Sequence, residues 1–484
     1  MKKTKIICTI GPACDSEEKI KELIKNGMDV ARLNLSHKDH SYHQIIINRI
    51  RKISEKLNKP IAIIADLQGP KLRLGVFSEK VLIKADVTII LSSDFKKINN
   101  KIIKIPIIYS NLDKYIKIKD KIILGDNQIE LEVQNIKNRE IICLSLDEGF
   151  IFSNMGFNIS NNSFKVPIPT KKDVKDVKFS VKNNVDFIAL SFITSEKDLI
   201  AFKKIVKKEQ SKKELEPIKI IAKIERGAAV KNINKIIKEA DAIMVARGDL
   251  GIELPIEEVP LIQKTIIQKC LTQAKPVIVA TQMLISMQNK SSPTRAETSD
   301  IANAVIDQAD ALMLSEETAI GKYPIKAVKM MVKIINQTEK FEDEHFLNKL
   351  MLRSEEKQLM NIDDSLIFSL NLISQKIKAK LILVVSLSGY TGRIVSRFRL
   401  KMPLFVFTCD PKIARQLNLS WGLFPLTTSN DNLCASLEIE KTKKQTINDF
   451  LNRGILKKDD IILIVGRNDR QHLNSIDWIE IKHI

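Results

Sequence analysis

Residues that could do chemistry cluster in the segment 221–255, where two short apolar stretches each end in charged side chains. The first stretch ends at Lys223 and Glu225, and the second at Arg247, Gly248 and Asp249. Two carboxylates beside an ammonium suit Mg²⁺, which takes few protein oxygens and completes its shell with water or substrate. A glycine beside an acid also lets the backbone approach a ligand closely. Either carboxylate alone is also consistent with a solvated loop residue, so the surrounding elements must decide.

A helix must connect these two stretches. The segment between them places Val230, Ile233, Ile236 and Ile237 on one helical face. Strand, helix and strand form a βαβ unit, whose connection is right-handed. Parallel neighbouring strands bring both carboxylates to the same edge of the sheet, where ligands of parallel sheets bind. The pattern therefore predicts a shared metal site at that edge.

Stretches of this kind recur along the chain and define its architecture. We predict strands at residues 5–10, 29–33, 61–66, 186–191, 219–225, 241–245, 277–281 and 311–315. Helical patterns separate them, and eight strand–helix units close a (β/α)₈ TIM barrel of the α/β class. The polar residues that end these strands should ring one mouth, and they are Asn34, Ser36, Asp66, Glu225, Asp249, Thr281 and Glu317.

The barrel pattern is interrupted after the third strand and followed by a further domain. The insertion alternates Ile and Val with turn signals such as residues 125–127, which predicts an all-β domain placed to act as a lid. A charged stretch at 340–360 predicts a helical linker. Strands and helices then alternate again, which indicates a C-terminal α/β domain with a mostly parallel sheet and a final edge strand. The predicted boundaries are 1–70 and 172–345 for the barrel, 71–171 for the lid and 346–484 for the C-terminal domain.

Composition limits the function classes. The chain has 484 residues, 44% hydrophobic and 28% charged, which is typical of a globular protein with several domains. Its net charge of +20 comes from lysines spread along the chain without a nucleic-acid-binding motif, so we expect no specific nucleic-acid partner. The six cysteines form no CxxC pair. Because no signal peptide or 18-residue apolar stretch is recognisable, we expect a cytoplasmic protein without a membrane partner.

Six separated stretches carry a resemblance to a known family. They are ARLNLSH, ADLQGPKLR, AKIERG, MVARGDLGIELP, ATQMLISM and PTRAETSDIANAVIDQADALMLSEETAIGKYP. In content and order they resemble pyruvate kinase from about residue 4 to residue 335, including the interrupting β domain. The resemblance implies transfer of the phosphoryl group of phosphoenolpyruvate to ADP, giving pyruvate and ATP in the last step of glycolysis. It also implies a homotetramer and Mg²⁺ (or Mn²⁺) bound by Glu225 and Asp249.

The resemblance implies further roles for residues around the metal site. Lys223 matches the lysine that stabilises charge on the phosphoryl group and on the developing enolate. Arg32 matches an arginine that holds the transferring phosphate, to which its planar guanidinium is suited. Thr281 matches a hydroxyl that helps to protonate enolpyruvate, although a strand-end cap would explain the same residue. The substrate-binding positions implied are Arg32, Lys223, Gly248, Asp249 and Thr281.

Nucleotide contacts are implied elsewhere along the same mouth. The positions that match them are Asn34, Leu35, Ser36, His37, Arg73 and Lys172.

The family's monovalent-cation site matches here with one departure. The ligands implied for K⁺ are Asn34, Ser36, Asp66 and Leu67. Members that depend on K⁺ usually have Thr after this Asp and Glu four residues later, whereas this chain has Leu67 and Lys71. This resembles the K⁺-independent subgroup, in which the lysine ammonium supplies the positive charge. We therefore expect weak dependence on K⁺.

A loop of the C-terminal domain resembles the family's effector-phosphate loop. Its candidate residues are Ser386, Ser388, Gly389 and Thr391, at the start of a helix whose free N–H groups can hold a phosphate. An ordinary capped turn explains the same residues. Because residues 466–470 replace the family's Gly-rich loop, we do not expect activation by fructose 1,6-bisphosphate.

Two other functions compete with the kinase. One is a barrel that keeps the fold but only binds a metabolite, and it would be expected to lack Lys223, Glu225 or Asp249. The other is a Mg²⁺-dependent barrel that performs carbon–carbon chemistry on phosphoenolpyruvate or a keto acid. The lid insertion and Arg73 favour a nucleotide substrate instead.

Overall fold

A barrel of eight parallel strands forms the centre of the computed structural model. The residues described are 1–70, 72–77, 79–95, 103–109, 111–125, 129–159, 168–211, 216–342, 362–427, 436–466 and 476–484. The barrel strands are Lys5–Thr9, Val30–Asn34, Ala62–Asp66, Phe187–Leu190, Lys219–Ile224, Ala242–Ala246, Val277–Ala280 and Ala311–Leu314. Each strand pairs with the next, and the eighth closes on the first. The predicted fold is confirmed, and each predicted strand end lies within one residue of the observed one.

The strands form where the chain is apolar on both faces, as expected for parallel strands covered by helices on one side and by the barrel core on the other. The third and sixth strands are buried at every residue. Inward-facing side chains fill the barrel, among them Ile7, Val30, Ile64, Ile221 and Met244. A second, larger core lies between the strands and the helices outside them.

The helices of the barrel half are Glu17–Lys25, His40–Lys56, Lys171–Lys182, Glu196–Gln210, Gly227–Lys231, Ile233–Glu239, Arg247–Glu253, Val259–Thr272, Arg295–Ile306, Glu316–Ala319 and Pro324–Glu342, with short 3₁₀ turns at Ile256–Glu258 and Ile285–Gln288. Ser16 accepts the N–H of Lys19 and caps the first helix. The single helix predicted after the fifth strand is instead two, because Asn232 ends the first and begins the second. Its side chain donates to the carbonyls of Thr194 at 3.0 Å and Ala228 at 3.2 Å.

The insertion after the third strand is all-β, as predicted. Its strands are Leu72–Arg73, Val81–Ile83, Thr88–Ser92, Ile103–Pro106, Lys121–Leu124, Ile129–Lys137, Glu140–Ser145, Gly149–Ile151 and Gly156–Ile159, and a 3₁₀ turn covers Leu112–Lys114. Seven of these strands form one sheet around a core of their own. The strand Gly156–Ile159 pairs with Leu72–Arg73 and also contacts the helix Arg247–Glu253 at the barrel mouth. The β domain therefore stands beside the helix that carries Asp249.

The C-terminal domain is a five-stranded sheet with helices on its faces. Its strands are Leu381–Val385, Leu404–Thr408, Leu423–Thr427, Ile461–Gly466 and Trp478–His483, and its helices are Ile362–Lys376, Tyr390–Arg397, Pro411–Leu417 and Ser436–Asn452. All pairs are parallel except the last strand, which lies antiparallel at the edge, as predicted.

Several sequence predictions fall wholly or mostly outside the described residues: Lys71, the turn at 125–127 beyond Gly125, the linker at 340–360 beyond residue 342, and the loop at 466–470 beyond Gly466. Cys8, Cys14, Cys143 and Cys270 are buried free thiols. Among the described helices, none combines the length and the apolar character that a membrane crossing requires.

Asp186 joins the barrel to the C-terminal domain. Its side chain is fully buried at the start of the fourth strand, and it accepts from Arg51 at 2.8 Å and Arg415 at 2.7 Å. Arg415 belongs to the C-terminal helix Pro411–Leu417. Removing one member of a buried ion network leaves the remaining charges without compensation.

We expect Asp186→Asn to lower the free energy of unfolding by about 3–5 kcal/mol, because two guanidinium groups lose their shared counterion. Urea unfolding followed by circular dichroism measures this. The matched control is Asp449→Asn, which breaks the solvent-exposed pair with Arg453 and should cost less than about 1 kcal/mol. Equal unfolding midpoints for the two variants would contradict the structural role of Asp186.

Candidate active site

Lys223 stands at the centre of the mouth, near the end of the fifth strand. Its ammonium lies 2.8 Å from Glu225 Oε1 and 3.2 Å from Asp66 Oδ1, and it donates to Ser191 Oγ at 2.9 Å. Burial alone lowers the pKa of Lys223, but the two carboxylates outweigh it and raise that pKa above its ordinary value. The site therefore holds a permanent positive charge that is only 11% exposed.

Glu225 and Asp249 lie at the same edge of the barrel. Ile224 is in register with Val245, so the fifth and sixth strands end side by side, and Asp249 follows in the first turn of the helix Arg247–Glu253. The Phe192 N–H donates to Glu225 Oε2 at 2.6 Å. Burial raises the pKa of Glu225; the Lys223 ammonium opposes the rise and the Asp249 carboxylate adds to it. The two acids are thus close enough to repel each other.

Arg32 is held in position by two neighbours. Its Nε pairs with Asp66 Oδ2 at 2.7 Å, and its Nη1 donates to Thr9 Oγ1 at 3.0 Å. Burial would raise the pKa of Asp66, yet the charges of Lys223 and Arg32 lower it below the ordinary value. Neither contact of Arg32 uses its second terminal nitrogen. One carboxylate thereby orients both the arginine and the lysine of the mouth.

Thr281 follows the seventh strand in an unusual conformation, with φ at +72°. A β-branched residue in the left-handed region is strained and persists only where its surroundings hold it. Its hydroxyl donates to the Ala280 carbonyl at 2.6 Å and accepts the Gly248 N–H at 2.9 Å. Arg247, paired with Asp300, donates to the Thr281 carbonyl at 2.7 Å. The threonine is therefore fixed beside the strand end that carries Asp249.

The predicted nucleotide residues fall into two groups. Lys172 donates to the Leu35 carbonyl at 2.6 Å, which places it against the loop that continues through His37. Leu35 is 2% exposed, and its N–H donates to the Asp66 carbonyl at 3.0 Å, so this residue of the loop is fixed against the barrel. Arg73 lies apart, on the β domain, where its Nη1 donates to the Asn154 carbonyl at 2.9 Å. Arg73 is in register with Gly156, in the strand that contacts the helix of Asp249.

The residues implied for K⁺ are partly occupied by internal contacts. The Asn34 side chain accepts the Ser36 N–H at 3.1 Å, and the Leu67 carbonyl accepts the Ser191 hydroxyl at 2.7 Å. Asp66 is already neutralised by two cations. These contacts leave the weak dependence on K⁺ a prediction.

The effector-loop residues lie at the start of the helix Tyr390–Arg397. Gly389 precedes that helix with φ at +75°, a conformation that favours glycine. Ser386 and Thr391 are 3% and 5% exposed, and Ser388 accepts the Tyr390 N–H at 3.4 Å. No contact of the loop identifies an effector, so its role stays a prediction.

Sequence reasoning missed several residues that position the site. The sequence places Asp66 at the mouth and assigns it to K⁺, but it does not predict that this carboxylate orients Arg32 and Lys223. Ser191 and Phe192 were not singled out, although they directly follow a buried strand, which is the signal that identified the other mouth residues. Glu317 follows the eighth strand at the predicted end of the barrel, but its side chain is fully buried and accepts the N–H groups of Leu284 and Ser315.

The residues present fit a divalent cation. No cluster of three or more His, Cys, Asp or Glu that could hold a metal occurs in the described ranges. Two carboxylates that repel each other and face a permanent ammonium are the donor set that Mg²⁺ accepts when water and substrate supply its other ligands. Burial and the nearby Asp249 carboxylate raise the pKa of Glu225 despite the Lys223 ammonium, and a bound divalent cation would oppose that rise.

Known proteins show the same architecture. The family model described as the pyruvate kinase barrel domain matches residues 1–328, and that of the pyruvate kinase alpha/beta domain matches residues 364–482. A pyruvate kinase from Clostridium acetobutylicum is 38% identical over 468 residues, covering 96% of both chains. A pyruvate kinase from Thermococcus litoralis is 37% identical over 470 residues, covering 96% of this chain and 94% of the relative.

The fold of a solved relative agrees with these matches. A crystal structure of a pyruvate kinase from Cryptosporidium parvum superposes with a TM-score of 0.89 at 32% identity, covering 100% of this chain and 96% of that one. Matches to both domains, relatives aligned over nearly their full length and a shared fold lead to one conclusion: the chain belongs to the pyruvate kinase family.

Proposed function

We propose that the barrel mouth around Lys223 is where this chain transfers the phosphoryl group of phosphoenolpyruvate to ADP, the reaction of its family. The observation that supports this most strongly is the buried Lys223 ammonium, held between Asp66 and Glu225. Phosphoryl transfer requires positioning and charge neutralisation more than covalent chemistry. A preorganised cation in a site shielded from water provides both.

On the substrate side, Arg32 and Lys223 bind the phosphoryl group. Arg32 is oriented by Asp66 and Thr9, so its remaining guanidinium nitrogen can meet phosphate oxygens without reorganising. Lys223 neutralises the charge that develops on the enolate oxygen as the phosphoryl group leaves. The Gly248 backbone and Asp249, at the start of their helix, would meet the substrate carboxylate.

Glu225 and Asp249 would hold Mg²⁺, or Mn²⁺ in its place. When bound, the ion neutralises phosphoryl and enolate oxygens and orients them for transfer. Glu225 is kept in place by the Phe192 N–H and by Lys223. The ion pair with Glu225 keeps the Lys223 ammonium beside the proposed metal position.

Thr281 would deliver the proton that converts enolpyruvate to pyruvate, directly or through water. Its hydroxyl cannot rotate freely, because it is held between the Ala280 carbonyl and the Gly248 N–H. That restraint keeps the hydroxyl at the edge of the barrel where the substrate's methylene carbon would lie.

ADP would bind between the loop 34–37 and the β domain. Lys172 braces the loop from the barrel side. Arg73 would reach the nucleotide phosphates when the β domain closes over the mouth, which also excludes water from the reaction. Family membership implies a homotetramer as well, and light scattering of the purified chain tests that assembly.

A coupled assay tests the proposed function. Purified chain with phosphoenolpyruvate, ADP and Mg²⁺ should form pyruvate, followed through lactate dehydrogenase, and pyruvate formation should require ADP. Pyruvate released at the same rate without ADP would contradict a nucleotide substrate, and no pyruvate at all would support a binding protein.

The same assay tests the dependence on K⁺. We expect replacement of K⁺ by tetramethylammonium, at constant ionic strength, to lower kcat/KM by less than about tenfold. The reason is that Asp66 already pairs with Arg32 and Lys223. The family resemblance also assigns a compensating ammonium to Lys71. A larger loss would show that the monovalent site is essential.

A further inference from the structure

A cavity lies between the base of the barrel and the C-terminal domain, at the end opposite to the mouth. Its volume is about 150 Å³. The barrel contributes residues where its strands begin, including Lys219 and Asp241, and the loop residue Lys275. The C-terminal domain contributes Arg393 from the helix Tyr390–Arg397 and Ser420. The cavity thus joins two domains that fold around separate cores.

The wall of this cavity carries more positive than negative charge. Lys219 pairs loosely with Asp241 at 3.6 Å, and Asp241 also accepts the Ile220 N–H at 2.9 Å. Lys275 donates to the Ala240 carbonyl at 2.6 Å, a neutral partner. Three cations therefore face one carboxylate, a formal excess of two positive charges.

Two polar groups in the wall lack a partner. Within the described part of the chain, the half-buried Arg393 guanidinium makes no hydrogen bond and no ion pair. Burial lowers the pKa of Arg393, and the more distant Asp241 carboxylate opposes that effect. Ser420 is 2% exposed, and its hydroxyl also has no hydrogen-bond partner there. Unpaired buried polar groups cost free energy, and such a group in a native structure points to a missing partner. Arg393 and Ser420 line the same cavity.

We propose that this cavity is a binding site for a small phosphate oxyanion, either inorganic phosphate or the phosphate group of a short monoester. A phosphate accepts hydrogen bonds from a planar guanidinium and a hydroxyl at once, and its charge balances the cations of the wall. The volume is comparable to that of a cavity that holds benzene, so it accommodates a few heavy atoms beyond the phosphate. One side of the cavity is apolar and would contact the carbon atoms of a monoester; it is formed by Ala274, Pro276 and Ile394.

The site would connect the two ends of the barrel. Lys219, at the cavity, begins the strand that carries Lys223 near its other end. A ligand held by Lys219 and Arg393 would therefore clamp that strand to the C-terminal domain. This inference does not rest on the proposed catalytic roles, because none of its residues belongs to the mouth.

Calorimetric titration with sodium phosphate, at ionic strength held constant with chloride, tests the site. We expect the wild-type chain to show a binding component whose affinity falls at least about tenfold in Arg393→Met, while kcat at saturating substrates is unchanged. Any phosphate that binds at the mouth should contribute the same heat to the titrations of both proteins. The control is Arg453→Met, which removes an exposed cation of the same domain. Glycerol 3-phosphate as a second titrant separates a monoester site from one for free phosphate.

Thermal stability gives an independent readout. Because Arg393 is unpaired, Arg393→Met should unfold at the same or a higher temperature than wild type without phosphate, and the order should reverse in its presence. If Arg393→Met does not fold, Ser420→Ala provides the same comparison with a smaller loss of affinity. Identical phosphate binding by wild type and either folded variant would overturn the proposal, as would equal stabilisation by chloride.

Discussion

Lys223→Met should lower kcat by at least about 10²-fold, because it removes a preorganised cation that acts on charge developing in the transition state. KM for phosphoenolpyruvate should change less, since the ground-state phosphate also meets Arg32. The fold should persist: Asp66 keeps its pair with Arg32, and Glu225, whose pKa is already raised, can take up a proton. Initial rates in the coupled assay at saturating substrates measure the effect, with circular dichroism to check folding.

A matched control shows whether the effect comes from losing the charge at this site or from losing any lysine charge. Lys235→Met removes an exposed lysine from the helix Ile233–Glu239, close to Lys223 in sequence. We expect its kcat to equal that of the wild type. An unchanged kcat in Lys223→Met, in a protein that remains folded, would remove this residue from the mechanism.

Glu225→Gln should weaken divalent-ion binding at least about 10–100-fold, the loss typical of even an outer partner of a metal ligand. Loss of the ion's charge neutralisation should also lower kcat/KM by roughly 10²–10³-fold. Asp249→Asn should show losses of the same order. Titration with Mn²⁺ followed by electron paramagnetic resonance measures affinity without activity, and Glu257→Gln, an exposed acid beyond Asp249, is the control.

The double variant decides whether the two acids share one ion. If they do, Glu225→Gln removes most of the binding, and Asp249→Asn added to it should cost far less than it does alone. Two losses that simply multiply would show that the carboxylates act independently. That result would contradict the common site, even if each single variant were impaired.

Much of the architecture was predictable from local sequence. A strand buried on both faces is apolar along most of its length, so polar residues mark its end, as at Asp66 and at Lys223 and Glu225. Eight such strands separated by helical patterns permit few arrangements other than a closed barrel. The family resemblance then assigned chemistry to the mouth, including the lysine and the two acids.

Local sequence is a poor predictor of backbone conformation where the side chain or carbonyl that stabilises it lies on another element. The break at Asn232 depends on the Thr194 carbonyl, which belongs to a different loop. The positive φ of Thr281 is stabilised by Gly248 and Arg247, which follow the preceding barrel strand. Neither feature has a signature in its own segment, because the stabilising partner is brought there only by folding.

The sequence by itself determined the order of the elements, the edge at which the polar residues gather and the family to which the chain belongs. Only the tertiary structure decided that Asp66 orients both Arg32 and Lys223, that Phe192 restrains Glu225, and that Arg393 faces a cavity without a partner. The physical reason is the distance along the chain over which each interaction acts. Hydrophobic periodicity acts within a single element, whereas an ion pair across the barrel mouth depends on how strands distant in sequence are staggered when the barrel closes.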